Sequence, residues 1–139
     1  KIALPVRRGQ LRSINKFDFD FFKHTEEEAN LIDPQIRLLH ETTYEAIYDA
    51  GLIVEDLRGS NTGVYIGTCY NDTESAQRSK QFDVDAIISI TASRISATFD
   101  FRGPCFVNDT ACASSLSCLN EAYLAMKNGI TDNIIVGGL

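Results

Sequence analysis

Short apolar segments typical of strands alternate with amphipathic helical segments along most of this chain, and this alternation constrains the fold more than any other feature. Residues 62–67 are rich in β-branched and aromatic side chains and carry a glycine near each end, which predicts a strand. Residues 105–108 and 133–137 are similar apolar runs. Helices placed between short apolar strands are typical of a parallel or mixed sheet covered by helices. The predicted fold class is therefore α/β.

Three helices are predicted around these strands. Asp33 followed by Pro34 indicates a helix start, because the aspartate can accept hydrogen bonds from free backbone N–H groups and proline fits the first helical position. Apolar residues recur at helical spacing up to Gly51, which is a stop signal. The predicted helices cover residues 34–50, residues 83–98, and a segment from Cys112 to Gly129.

The composition excludes several classes of protein. The chain has 139 residues, 44% of them apolar, which is enough for one globular domain and excludes general disorder. Its net charge of −6 argues against nucleic acid or an anionic membrane as the main partner. No apolar run approaches the ~20 residues that a membrane span requires. The chain begins at Lys1 without methionine, so we expect a segment of a longer polypeptide, truncated at both ends.

The four cysteines, Cys69, Cys105, Cys112 and Cys118, are expected to be reduced, as in a cytoplasmic protein, because no secretion signal precedes them. No Cys-x-x-Cys pattern occurs, and both histidines lie far from any cysteine pair in the sequence. The sequence therefore predicts no metal site.

Residues 108–116 are the most informative stretch for chemistry. There a strand ends, small residues make a tight turn, and Cys112 stands at the beginning of an amphipathic helix. A thiol in that position meets free backbone N–H groups and the positive end of the helix dipole, which favour the thiolate. The same amides can polarise a carbonyl group held against the sulfur. The pattern is typical of a nucleophilic cysteine.

A structural role is the alternative for each cysteine. Most cysteines pack as small apolar side chains, and spacing alone leaves both interpretations open for Cys112. Cys69, Cys105 and Cys118 lie within or beside predicted strands or on the opposite helix face, so we expect them to pack in the interior.

The segment Asp109-Thr-Ala-Cys-Ala-Ser-Ser-Leu116 resembles the active-site motif of β-ketoacyl synthases of animal fatty acid synthases and modular polyketide synthases. The family usually has serine where this chain has Ala113. Further blocks resemble the family in the same order, and the likeness covers nearly the whole chain from Phe17. These blocks are Phe17-Asp18 with Phe21-Phe22, Asp33-Pro34-Gln35 with Arg37-Leu38-Leu39, Glu45-Ala46 with Asp49-Ala50-Gly51, Leu57-Arg58-Gly59-Ser60, Thr62-Gly63-Val64 with Gly67, Arg94-Ile95-Ser96, Phe101-Arg102-Gly103-Pro104, and Gly137-Gly138.

The resemblance implies a thiolase-like fold of alternating helical and sheet layers, of which residues 1–139 are the amino-terminal portion and supply most of the first half. It also implies that Cys112 is the catalytic nucleophile. The two histidines and the lysine that assist catalysis in the family lie later in a full-length synthase. His24 and His40 match neither histidine motif, and we expect them to have surface or helix roles.

The implied reaction is a decarboxylative Claisen condensation in fatty acid or polyketide chain elongation. Cys112 accepts an acyl group from phosphopantetheine on an acyl carrier protein, and malonyl thioester then extends that group by two carbons. The resemblance implies no metal or redox cofactor in this domain, a homodimer and a cytoplasmic setting. The chain alone is expected to be inactive. The alternative is a non-catalytic, ketosynthase-like scaffold or dimerisation module.

Overall fold

The predicted alternation of helices and strands is confirmed. The computed structural model describes residues 7, 9, 11, 13–69 and 88–139. Its elements in chain order are α1 (Glu26–Leu31), α2 (Pro34–Asp49), α3 (Val54–Leu57), β1 (Thr62–Gly67), a 3₁₀ turn (Ile88–Ile90), α4 (Thr91–Phe99), β2 (Cys105–Asn108), α5 (Ser114–Lys127) and β3 (Asn133–Gly138). Among the described helices, none has both the length and the apolar character needed to cross a membrane.

The three strands form one parallel sheet in the order β2-β1-β3. Gly67, the last residue of β1, lies opposite Asn108 of β2 and Gly138 of β3. The carboxyl ends of all three strands therefore meet at one edge of the sheet. The turn that contains Cys112 begins at this edge, directly after β2.

Side-chain caps fix the starts of the first two helices. The Thr25 hydroxyl accepts a hydrogen bond from the Glu28 backbone N–H at 3.2 Å, while the Thr25 N–H donates to the Glu28 carboxylate at 2.8 Å. At α2 the Asp33 carboxylate accepts from the Gln35 N–H at 2.7 Å, with Pro34 as the first helical residue. The helix start predicted from Asp33 and Pro34 is confirmed.

The second predicted helix differs from the structure at its beginning. Residues 83–87 of the predicted span lie outside the described residues. Residues 88–90 form a 3₁₀ turn, and α4 begins only at Thr91. The helix ends at Phe99 because Asp100 adopts a left-handed conformation with φ of +55°. Apolar spacing does not separate a 3₁₀ turn from the first turn of an α-helix, which explains the difference.

The two faces of the sheet bury separate cores, because successive side chains of a strand point to opposite faces. Val64 and Ile66 are fully buried and pack in the larger core, against residues of α2, α3 and α4. Tyr65 points to the other face and packs against three small residues of α5, which are Cys118, Ala122 and Ala125. The sheet therefore lies between α5 on one side and the remaining helices on the other.

The face of α5 that turns away from the sheet is apolar and exposed. Leu116 is 72% exposed and Tyr123 61%, and Leu119, Leu124 and Met126 lie open as well. The residues that contact the sheet are small, which lets the helix approach it closely. The helix was predicted from Cys112 to Gly129; it begins two residues later, at Ser114, after a tight turn, and Gly129 follows its end with φ of +67°.

The expectation of surface or helix roles for the histidines needs correction at His40. This residue lies on α2, but its side chain is fully buried rather than exposed. Its ring contacts the rings of Phe17, Phe22 and Phe99 in the larger core. A neutral imidazole can be buried there because both ring nitrogens are hydrogen-bonded. His24 is half-buried beside it, with ring centroids 5.6 Å apart.

Candidate functional site

Cys112 lies in the turn between β2 and α5, and its side chain is exposed. The turn leaves the carboxyl end of β2 after Asn108 and enters α5 at Ser114. The Thr68 N–H donates to the Asn108 carbonyl at 3.0 Å, which ties the chain after β1 to the end of β2. The structure therefore places the predicted nucleophile at the sheet edge where parallel α/β folds usually bind ligands.

Two side chains hold the backbone of this turn. Asp109 accepts a hydrogen bond from the Ala111 N–H at 2.9 Å. The Ser114 hydroxyl accepts from the Thr110 N–H, also at 2.9 Å. Ala111 itself has φ of +53°, a left-handed conformation that is uncommon for residues other than glycine. The residue directly before Cys112 is thus strained, and the neighbouring hydrogen bonds stabilise it.

Two glycines let the first turn of α5 lie directly on the sheet. A Cβ atom at Gly67 would stand 2.6 Å from the Ser115 nitrogen and 2.8 Å from the Ser114 carbonyl oxygen. A Cβ atom at Gly138 would overlap the Ser115 hydroxyl. The ends of β1 and β3 therefore determine how closely the first turn of α5 approaches the sheet, and with it the position of Cys112.

The amino end of α5 is electrostatically favourable for an anion. No side chain caps its N-terminal residue Ala113, and its first turn carries no acidic residue. Lys127 lies in its last turn, where a cation complements the helix dipole. The N–H groups of Ala113 and Ser114 are used inside the turn, where they donate to the carbonyls of Thr110 and Ala111 at 3.2 and 3.0 Å. The positive end of the helix dipole lies next to Cys112 in the chain and can stabilise an oxyanion there.

The other three cysteines differ from Cys112 in their surroundings. Cys118 is fully buried in the smaller core, and burial raises the pKa of its thiol. Cys69 is half-buried just after β1; burial raises the pKa of its thiol, and negative charge on Asp109 and Cys112 raises it further. The prediction of interior packing fits Cys118.

Cys105 is exposed, so the prediction that it packs in the interior is wrong. It begins the edge strand β2, whose outer side has no neighbouring strand among the described residues. It also lies at the opposite end of β2 from the Cys112 turn. Cys105 therefore lies exposed at the start of an edge strand, whereas Cys112 lies directly before a helix.

An open groove runs along the first two turns of α5, beside the Cys112 turn. Its lining includes Asn108, Thr110, Ala113, Leu116 and Asn120. The groove is lined by both apolar and polar side chains. Thr110 and Ala113, on either side of the Cys112 turn, line it, but Cys112 itself does not.

Both histidines lie on the other side of the sheet from Cys112, in and beside the larger core. Within residues 13–69 and 88–139, no three histidine, cysteine, aspartate or glutamate side chains come together as a metal site requires. Cys112 is therefore the one predicted site residue, and the structure brings neither histidine to it.

The residues that support the turn were not predicted to do so. Gly67 was predicted only as a strand boundary, Gly138 as part of a block that resembles the family, and Ser114 as part of the motif around Cys112. The sequence signal that could have indicated their role is the presence of small residues where strand ends meet the start of a helix.

The family model for the β-ketoacyl synthase N-terminal domain matches residues 2–139. A fatty acid synthase from Anser anser anser is 42% identical over 143 residues, which cover 99% of this chain and 41% of that protein. Fusarin C synthetase from Gibberella moniliformis is 41% identical over 141 residues, which cover 96% of this chain and 4% of that protein.

The solved structures agree with these sequence matches. The ketosynthase from module 6 of the bacillaene synthase of Bacillus subtilis superposes with a TM-score of 0.82 at 35% identity, over 94% of this chain and 22% of that chain. The α/β, thiolase-like fold is thereby confirmed. The chain spans less than half the length of these relatives. With its described fold and a match over nearly all of its residues, the chain belongs to the β-ketoacyl synthase family, as the N-terminal domain of a ketosynthase.

Proposed function

We propose that this chain supplies the nucleophilic cysteine for the condensation step of fatty acid or polyketide chain elongation. The observation that carries the proposal is the exposed thiol of Cys112 at the uncapped amino end of α5. The family match and the name of one relative, a fatty acid synthase, support this reaction class.

In the first half of the proposed reaction, the Cys112 thiolate attacks the carbonyl carbon of an acyl thioester carried on phosphopantetheine. Negative charge develops on the carbonyl oxygen, and the positive end of the α5 dipole stabilises it. The bond between the carbonyl carbon and the Cys112 sulfur forms, and the bond between that carbon and the carrier sulfur breaks. The carrier thiolate leaves and takes up the proton that Cys112 gave up, and the acyl group stays on Cys112.

In the second half, malonyl thioester loses carbon dioxide, and the resulting enolate carbon attacks the acyl carbon on Cys112. The Cys112 thiolate is released, and the product is a β-ketoacyl thioester that is two carbons longer. Holding the acyl group before the second substrate arrives makes the joining step effectively intramolecular. The groups that assist decarboxylation and position the enolate are two histidines, with a supporting lysine, which lie later in a full-length synthase, as the resemblance implies.

The proposal includes partners and setting. The substrates are acyl and malonyl groups on acyl carrier protein, and the active form is a homodimer. The domain itself uses no metal or redox cofactor, and the setting is cytoplasmic. The 139 residues alone are not expected to catalyse condensation, because the described histidines lie on the other side of the sheet from Cys112.

The proposal predicts that Cys112→Ala, made in an intact ketosynthase that carries this chain, abolishes condensation. Loss of the nucleophile should lower β-ketoacyl product formation by at least roughly 1,000-fold. The melting temperature should change little, because the removed thiol is exposed. The measurement supplies acyl and malonyl carrier thioesters and quantifies the product by mass spectrometry.

The matched control is Cys105→Ala, which removes the other exposed thiol and should leave turnover unchanged. Undiminished product from Cys112→Ala would overturn the proposal. A wild-type protein that forms no product, although its carrier proteins are loaded, would favour the alternative of a non-catalytic scaffold.

A further inference from the structure

The side chain of Ser114 connects three backbone groups around the Cys112 turn. Its oxygen accepts a hydrogen bond from the Thr110 N–H at 2.9 Å. The same oxygen lies 2.6 Å from the Ala111 carbonyl oxygen and 3.1 Å from the Thr68 carbonyl oxygen, so its one proton has two acceptors within hydrogen-bond distance. Ser114 is only 4% exposed, so water does not replace these partners. A single hydroxyl thus links both sides of Cys112 and the end of β1.

These hydrogen bonds stabilise Ala111, the residue of the turn with a left-handed backbone conformation. Ala111 holds a left-handed conformation, which costs about 1–3 kcal/mol unless neighbouring contacts enforce it. The Ala111 carbonyl accepts hydrogen bonds from the Ser114 hydroxyl at 2.6 Å and from the Ser114 backbone N–H at 3.0 Å, and the Asp109 carboxylate accepts from the Ala111 N–H. Because Cys112 follows Ala111 directly, a change in that conformation would turn the thiol away from the amino end of α5.

We propose that Ser114 is a positioning residue that holds the Cys112 thiol at the amino end of α5 by fixing the turn 110–112 to the end of β1. The assignment rests on the proposed function only in taking Cys112 as the nucleophile. Ser114 does not touch the reacting atoms; it acts through the backbone on either side of the cysteine.

Ser117 offers a matched control on the same helix. Its hydroxyl shares a hydrogen bond of 3.0 Å with the Thr110 side chain, and it is less buried than Ser114. Removing it takes a serine hydroxyl from the same neighbourhood but leaves the hydrogen bonds of Ser114 to the backbone in place. A loss specific to Ser114 therefore reports on the backbone connection.

The test compares Ser114→Ala with Ser117→Ala in an intact ketosynthase, at a temperature well below the melting point of both. Single-turnover acylation of Cys112 by an acyl-carrier thioester should slow about tenfold in Ser114→Ala, with the half-saturating concentration unchanged. Alkylation of Cys112 by iodoacetamide, mapped by mass spectrometry, should slow to a similar extent. Ser117→Ala should stay within about twofold of wild type in both measurements.

Wild-type rates in Ser114→Ala, or an equal loss in Ser117→Ala, would overturn the assignment. Alkylation needs no acyl transfer, so it still tests the assignment if the wild type fails to accept acyl groups. If Ser114→Ala fails to fold, amide hydrogen exchange of the wild type decides. The Thr110 N–H should then be protected about 100-fold or more, and free exchange at that amide would contradict its bond to Ser114.

Discussion

At the scale of single residues, the position of Cys112 depends on how closely α5 approaches the sheet. Gly67 is the residue that permits this approach, since any Cβ there would meet the backbone of Ser114 and Ser115. Backbone atoms in the first turn of a packed helix cannot move aside as the end of a flexible side chain can.

Gly67→Ala should therefore destabilise an intact ketosynthase by about 3 kcal/mol and displace the Cys112 turn. Urea unfolding measures the first effect, and the rate of acylation at Cys112 measures the second. Gly9→Ala is the matched control, because a Cβ there has no neighbouring atom within 4 Å. Equal stability of the two variants would show that the contact between α5 and β1 is looser than described.

The sequence was sufficient to predict that Cys112 lies in a turn before a helix, but not to predict the residues that support this turn. A small-residue turn between a strand and an amphipathic helix is a local pattern, so residues 108–116 indicated the position of the cysteine. The bond from Ser114 to Thr68 joins positions 46 residues apart, and no local pattern encodes it. The left-handed conformation of Ala111 is equally hidden, because alanine gives no signal for a positive φ.

At the scale of elements, His40 joins α2 to α4 inside the larger core. Its Nδ1 donates to the Ile36 carbonyl at 2.8 Å, so Nε2 of the neutral ring accepts from the Thr98 hydroxyl at 2.9 Å. The pKa of His40 is lowered to about 4, mainly by burial and in part by positive charge on His24 and Arg94, whereas the hydrogen bond to the Ile36 carbonyl opposes the shift. The ring is therefore neutral in the folded protein near pH 7.

This buried histidine predicts a loss of stability in acid. An unfolded histidine has a pKa near 6.5, so below that pH the unfolded state binds a proton that the folded state does not bind until about pH 4. Stability should thus fall as the pH falls from 7 to 5, with about 2 kcal/mol due to His40. Urea unfolding of an intact ketosynthase at both pH values measures this loss.

His40→Gln should be less stable at pH 7, because the buried hydrogen bonds are disturbed, but its stability should depend less on pH. His24 is half-buried and its pKa is lowered by burial too, so some dependence should remain. The same fall between pH 7 and 5 in wild type and His40→Gln would contradict this account of the contact between α2 and α4.

The elements themselves were predicted unevenly. The start of α2 was correct because Asp33 and Pro34 act locally on the helix end. The burial of His40 was not predicted, because it depends on rings from two distant segments, Phe17 and Phe22 in one and Phe99 in the other. Exposure of Cys105 was missed for a similar reason: a short apolar strand does not show whether it lies at the edge of a sheet.

At the scale of the whole molecule, two surfaces of the described chain lack a covering element. One is the apolar outer face of α5, and the other is the edge of the sheet at β2; β3 is also an edge strand among the described residues. Exposed apolar faces and open sheet edges favour association with further protein. Their presence agrees with a domain that spans a minor part of its relatives' length.

In the proposed homodimer, we expect the edge of β2 to lie at the contact between subunits. Val107 packs partly in the larger core, so a charge there would disturb the fold as well as an interface. Cys105 is exposed on the same strand and is the better position. Cys105→Arg should convert an intact ketosynthase from dimer to monomer in analytical ultracentrifugation, because a buried, unpaired charge is costly.

The control for the dimer is Tyr48→Arg, which places the same charge on a residue of α2 that is 71% exposed. It should leave the sedimentation of the protein unchanged. An unaltered dimer in Cys105→Arg would show that the β2 edge is not at the contact between subunits.

The proposed acylation of Cys112 can be measured separately from the condensation step. An intact ketosynthase is incubated with an acyl carrier thioester and no malonyl thioester, digested, and mapped by tandem mass spectrometry. We expect the peptide that contains Cys112 to gain the mass of the acyl group, at close to one acyl group per chain. Acylation at Cys69, Cys105 or Cys118 instead, or a protein that remains unmodified while its carrier is loaded, would contradict it.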